Sequence, residues 1–146
     1  MFRPINYGRL FMGRLEHGDD LYDALTSFCQ KNHIALGWIE AIGAVQEACI
    51  SFYEQEGYED SKKRYKLISL DQPLEILNLT GNVSLREGIA FVHAHISLAD
   101  SEGRVYGGHL AQGTKVFACE FVIHAFEGKK YEREEDGLTG LPLWKP

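Results

Sequence analysis

This sequence predicts an α+β fold, with one amphipathic helix after a first strand and then a run of strands forming an antiparallel or mixed sheet. Three observations carry that prediction. One stretch, beginning at Leu21, places its apolar residues at helical spacing. From Ile34 onward the chain is instead rich in β-forming residues in short runs. Turn signals are scattered between those runs, and no repeat or low-complexity linker interrupts the 146 residues, so 1–146 is expected to form a single domain.

Arg9 to Glu16 reads as the first strand. Gly18-Asp19-Asp20 follows, and either aspartate can cap a helix. Leu21, Leu25, Phe28 and Cys29 then line one helical face, and Lys31-Asn32 suits the C-terminus. Ile34 to Tyr53 predicts strand segments bent at Gly37 and Gly43. Gly57 to Lys63 predicts a polar turn. Tyr65 to Leu70, Leu74 to Val83, Ile89 to Leu98 and Thr114 to Phe126 predict strands, with a turn at Asp100-Ser101-Glu102-Gly103. The segment 127–146 is acidic over Glu132 to Asp136 and then apolar up to Trp144. Exposed, its leucines and tryptophan would be a liability, so this tail is expected to dock on the domain or on a neighbouring subunit.

Composition narrows the class. Hydrophobic residues make up 45% and charged residues 25%, which excludes disorder of the whole chain. No apolar run approaches the ~18 residues that span a bilayer, and Met1 to Asn6 lacks the apolar stretch of a secretory signal. A cytoplasmic protein without a membrane partner is expected. Cys29, Cys49 and Cys119 are odd in number, widely spaced and set among apolar neighbours, so they read as small core residues. Net charge is −6, and the basic clusters Lys62-Lys63-Arg64 and Lys129-Lys130 sit beside acids as solvated turns. Charge therefore gives DNA binding no support.

The chemistry concentrates in Ala90 to Leu98. Alternate residues of a strand share a face. Ala90, Val92, Ala94, Ile96 and Leu98 put an apolar face on the core, and His93 and His95 then lie together on the other. Two such imidazoles plus a third from elsewhere make a three-histidine site with an open position. His109 is the candidate third, since Gly107-Gly108 lets the backbone turn tightly after a return through Ser101-Glu102-Gly103. The alternative is that these histidines are simply hydrogen-bonded.

On the last long strand, Phe117, Cys119, Phe121, Ile123 and Ala125 form the predicted apolar face, with Glu120 and His124 opposite. Glu120 is a candidate general base or partner of a ligand imidazole; its alternative is a surface carboxylate. Glu40, Asn82 and Tyr106 are candidate pocket residues. His124 is a fourth-ligand candidate, while His17 and His33 read as surface residues. No nucleophile elbow, Walker loop or dinucleotide fingerprint is present.

Ile39-Glu40-Ala41-Ile42-Gly43-Ala44-Val45, Leu74-Glu75-Ile76-Leu77 with Leu79-Thr80-Gly81-Asn82, His93-Ala94-His95 with Leu98-Ala99-Asp100, and Gly107-Gly108-His109-Leu110 occur in this order. From about Tyr7 to Ile123 that order resembles the plants-and-prokaryotes-conserved (PPC) domain, stand-alone prokaryotic type. The resemblance implies a strongly bent, mainly antiparallel sheet with one main helix after the first strand. It implies a homotrimer, and a metal held by His93, His95 and His109. In plants the domain follows an AT-hook, a DNA minor-groove segment that this sequence lacks. The fold is also similar to that of acetolactate decarboxylase, a zinc enzyme with a related histidine arrangement.

Three functions follow as expectations. The first is a metal-binding homotrimeric module for assembly or for a small ligand, with Zn2+ or another divalent transition metal as cofactor. The second is a metal-dependent lyase or hydrolase acting on a small, oxygen-rich metabolite. The third, motivated by the family label alone, is a DNA-associated regulatory protein.

Overall fold

In the computed structural model, residues 2–54 and 65–145 are described. The predicted Gly57–Lys63 turn and the Lys62-Lys63-Arg64 cluster lie outside them. In chain order the elements are β1 (Asn6–Leu15), α1 (Leu21–Lys31), β2 (Gly37–Tyr53), β3 (Tyr65–Leu70), β4 (Leu74–Arg86), β5 (Ile89–Ala99), β6 (Val105–Leu110), β7 (Lys115–Glu127), β8 (Glu132–Glu135) and β9 (Pro142–Trp144).

The helix forms where its signals place it. The Asp20 carboxylate accepts from the Asp23 backbone N–H at 3.0 Å, and Asn32 closes the other end. Leu21, Leu25 and Cys29 are fully buried. Phe28 adds edge-on contacts to Phe11 and Phe121, with ring centroids 5.4 and 5.2 Å apart. This face covers a core of Ile39, Leu79, Ile96, Leu98 and Ile123. Burial pushes the Cys29 thiol up to about 12 and the Cys119 thiol up to about 11, as suits cysteines used for packing.

The sheet is mixed but largely antiparallel, the one parallel pairing among the described strands being β4 with β8. Strand β2 organises it. Its first half lies between β7 and β4, while its second half pairs with β3 and, through Ile50↔Leu110 and Ser51↔His109, with β6. Since β4 pairs with β5 and β5 with β6, the sheet bends far enough for β2 to meet both ends of that run. The irregularities in β2 cluster around Gly43: its register against β4 shifts between Ala41 and Gly43, and against β7 between Ala44 and Glu47. Gly43 has φ of 142°, and a side chain there would collide with the Ala118 carbonyl.

Two expectations change. Phe117 is 59% exposed, and Val116 takes the inward position. The cause is a bulge: Ala44 pairs with Ala118 but Val45 pairs with Val116, so one β7 residue is skipped and its phase flips. Gly107-Gly108 is not a loop but the middle of β6. A Cβ on Gly107 would lie 3.1 Å from the Ile96 carbonyl, and one on Gly108 2.9 Å from the Ser51 carbonyl. The glycines let β6 fit between β5 and β2 rather than make a turn.

The tail runs along the sheet edge, with Leu138 left 77% exposed. Strand β8 runs beside the end of β4, β9 returns along β8, and the Trp144 ring stacks on Tyr131 at 4.3 Å. Among the described residues no helix is long and apolar enough to cross a membrane.

Candidate metal centre

The predicted alternation of β5 holds: Val92, Ala94, Ile96 and Leu98 are buried, while His93 and His95 lie on the opposite face. Antiparallel pairing of β6 then sets His109 directly across from His95. The ring centroids are 5.3 Å (His93–His95), 5.1 Å (His93–His109) and 4.3 Å (His95–His109) apart. His93 Nε2 and His109 Nδ1 are hydrogen-bonded at 3.1 Å. One nitrogen from each ring lies within 4.8 Å of the others.

This donor set fits a transition-metal ion. Imidazole nitrogens at about 2.0–2.1 Å from a tetrahedral ion stand about 3.3 Å apart. The observed nitrogens, all within 4.8 Å of one another, would close by at most about 1.5 Å to match, and the ion would replace the His93–His109 hydrogen bond. The protonation state fits as well. Burial, with the neighbouring Arg133, His109 and His95, lowers His93 to about 4. His109 is lowered by burial and by His95. At neutral pH both rings are uncharged, the form that donates a lone pair to a metal.

Arg133 is the site residue that sequence reasoning missed. It is 8% exposed and reaches the histidines from β8. Its Nε donates to Ser84 Oγ, its NH1 to the Pro142 carbonyl and its NH2 to Asn82 Oδ1, all at 2.8 Å. A longer contact of 3.4 Å joins NH2 to His93 Nδ1. The guanidinium also stands over the Phe91 and Trp144 rings at 5.5 and 5.7 Å. The signal in the sequence is faint: in Glu132-Arg133-Glu134-Glu135, strand alternation sends the arginine to the face opposite its flanking glutamates.

A cavity of about 380 Å³ opens beside the histidines, with Tyr53, Tyr65, Phe91, His93, His109 and Arg133 in its wall. Asn82 lies next to it, opposite His93 and bonded to Arg133. The other predicted site residues lie elsewhere in the chain. Tyr106 turns its hydroxyl to Asp100 Oδ2 at 3.1 Å. Glu40 shares a cross-strand row with Thr80 and His95, two strands from the histidine. Glu120 is a further strand away, opposite Ile42, roughly 14 Å from β5 at ~4.8 Å per strand. Both glutamates line a separate outer hollow with Met12 and Arg14. His124 pairs across strands with Leu10 and Trp38, and His17 Nδ1 bonds the Phe117 carbonyl. His33 follows the helix with φ of 55°.

Comparison with known proteins adds to this geometry. The profile of the Plants and Prokaryotes Conserved (PCC) domain matches residues 3–127. A solved structure of a metal-containing protein from Archaeoglobus fulgidus is 40% identical, with a TM-score of 0.91 over 100% of this chain and 99% of that one. A plant- and prokaryote-conserved (PPC) protein of Pyrococcus horikoshii is 36% identical, with a TM-score of 0.90 over 100% and 97%. A Staphylococcus aureus protein similar to alpha-acetolactate decarboxylase shares the fold at 17% identity, with a TM-score of 0.58 over 84% of this chain and 53% of that one. Among curated relatives, the bifunctional protein GlmU of Synechococcus sp. (strain JA-3-3Ab) is 30% identical over 94% of this chain, which spans only 20% of that protein's length.

Proposed function

The chain belongs to the Plants and Prokaryotes Conserved (PCC) domain family, and from that premise we propose that it is a metal-binding, homotrimeric module whose metal stands beside a small-ligand cavity. His93, His95 and His109 would hold zinc or another divalent transition metal. The observation that carries this reading is the convergence of three imidazole nitrogens within 4.8 Å, with no carboxylate among the described residues joining the cluster. The metal-containing relative from Archaeoglobus fulgidus, at 40% identity over almost its whole length, supports it.

Exposed apolar residues on one face of the sheet support the assembly part of the proposal. Leu10 and Met12 on β1 and Ile42 on β2 are 65%, 83% and 57% exposed on the outer face of the sheet. They are interspersed with Arg14, Glu40 and Glu120 on that face, a mixture of apolar and charged side chains that suits burial against another subunit.

The test is elemental analysis of protein purified without a metal-affinity tag, wild type beside His93→Ala and His109→Ala, with sedimentation to count subunits. About one metal per chain is expected in the wild type, with loss in both variants. No bound metal and no uptake of added zinc would overturn the reading.

The cavity favours a second reading, a metal-dependent lyase or hydrolase acting on a small metabolite. A divalent ion at the three histidines would polarise a carbonyl or lower the pKa of a water to about 7. Glu120 and Glu40 would then serve as bases only across a subunit boundary, because within one chain both line the outer hollow. Turnover that survives removal of the metal would exclude this reading.

A further inference from the structure

The environment of Arg133 is unusual for a buried cation. Its side chain bonds a hydroxyl, an amide oxygen and a backbone carbonyl, all of them neutral acceptors. Among the described residues no carboxylate pairs with it. Burial of an arginine without a counter-charge is costly, and such groups are normally paired. The neighbouring charge has the wrong sign. Arg86 also lines the cavity, and its guanidinium stands 5.7 Å from the Phe91 ring that Arg133 covers at 5.5 Å. The chain carries a net charge of −6, yet this cavity collects two guanidinium groups.

Donor capacity is left over as well. A guanidinium offers five N–H groups. Three are used at 2.8 Å and a fourth points to His93 at 3.4 Å. Apart from Gln112 and the histidines, the other walls are apolar or aromatic, including Tyr65, Phe91, Leu141 and Leu143. A volume of about 380 Å³ suits a small molecule.

We propose that this cavity binds a small metabolite bearing an oxyanion, a carboxylate first of all, with the anionic group on the remaining N–H of Arg133 and an apolar body against Phe91 and the tail. The proposal rests on the small-ligand reading above for its cavity, but its central residue is not a metal ligand. Arg133, Leu141 and Leu143 all come from the tail, beyond residues 3–127 that the family profile covers. The tail is thus the element that sets ligand choice. The remaining N–H donates one charge-assisted hydrogen bond to a carboxylate or phosphate oxygen, and the arginine's uncompensated charge adds to the attraction.

The experiment is a ligand-observed NMR titration of the full chain, both metal-free and after zinc loading with zinc per chain measured. The probes are isobutyrate, its neutral isostere isobutyramide, and inorganic phosphate. Saturable binding of isobutyrate, at least tenfold tighter than isobutyramide and at least tenfold weakened by Arg133→Met, is the expected result. Arg86→Met, an exposed substitution, should weaken binding by a smaller factor and serves if Arg133→Met does not fold. Phosphate binding that both variants weaken, with isobutyrate inert, keeps the anion site and assigns it to phosphate esters. Equal binding of the amide and the acid, no binding of either anion, or binding indifferent to both substitutions would overturn the proposal. The zinc measurement separates the two ideas. Failure to take up zinc sinks the metal reading, while Arg133-dependent binding to the metal-free chain would still uphold this one.

Discussion

Gly81→Ala should damage the fold and the histidine site together. Gly81 pairs with Ala94, flanked by Thr80↔His95 and Asn82↔His93. A Cβ there would lie 2.5 Å from the His93 carbonyl oxygen, 2.6 Å from Ala94 Cβ and 2.7 Å from Ala94 Cα. Carbon atoms pack at about 3.5–4.0 Å, so β4 and β5 must part by about 1 Å. The obstructing atoms are backbone and a Cβ, with no rotamer to move aside. Overpacking of this kind costs up to about 3 kcal/mol. For a 146-residue chain each kcal/mol is worth about 2–4 °C, so a cost of about 1–3 kcal/mol should lower the melting midpoint by about 2–12 °C. Metal sites tolerate ligand displacements of only about 0.2 Å, so metal per chain should fall too. The assay is thermal melting by circular dichroism, with and without chelator, beside elemental analysis. Gly137→Ala is the control, because an added Cβ there meets nothing within 4 Å. A Gly81→Ala protein that melts within 1 °C of wild type with full metal content would refute the close-approach argument.

Leu25→Ala, at a fully buried position on the core face of the helix, should cost about 2–5 kcal/mol in urea unfolding; a loss below 1 kcal/mol would mean that the helix does not seal the core. Asp100 gives a pH signature. Burial tends to raise its carboxyl, but hydrogen bonds from the Arg104 side chain and backbone, the Glu102 backbone and the Tyr106 hydroxyl outweigh this and hold it at about 2, below its usual 3.8. A depressed carboxylate contributes stability above its unfolded pKa and loses it as pH falls through the folded one. The gap in melting midpoint between wild type and Asp100→Asn should therefore be constant above pH 4 and narrow between pH 4 and pH 2; a gap independent of pH would contradict the assignment.

The sequence alone determined whatever depends on a few neighbouring residues. The helix from Leu21 to Lys31 was legible because its cap and apolar stripe act within four residues. The placement of His93 and His95 on one face of β5 was legible because alternation belongs to a strand's own backbone. Linear motifs from Ile39 to Leu110 sufficed to point to the family. The phase of β7 was not legible before Cys119, since its bulge exists only relative to β2. Nor was the role of Gly107-Gly108, which follows from the Ile96 and Ser51 carbonyls on either side. Glu120 has the right chemistry for a base, but sheet order sets two strands between its own and that of His93 and His95. Arg133 has no local signature of a site residue, yet pairing of β8 with β4 brings it to His93, 40 residues earlier. A residue's own backbone fixes the face it takes, whereas pairing between distant strands decides what meets it there.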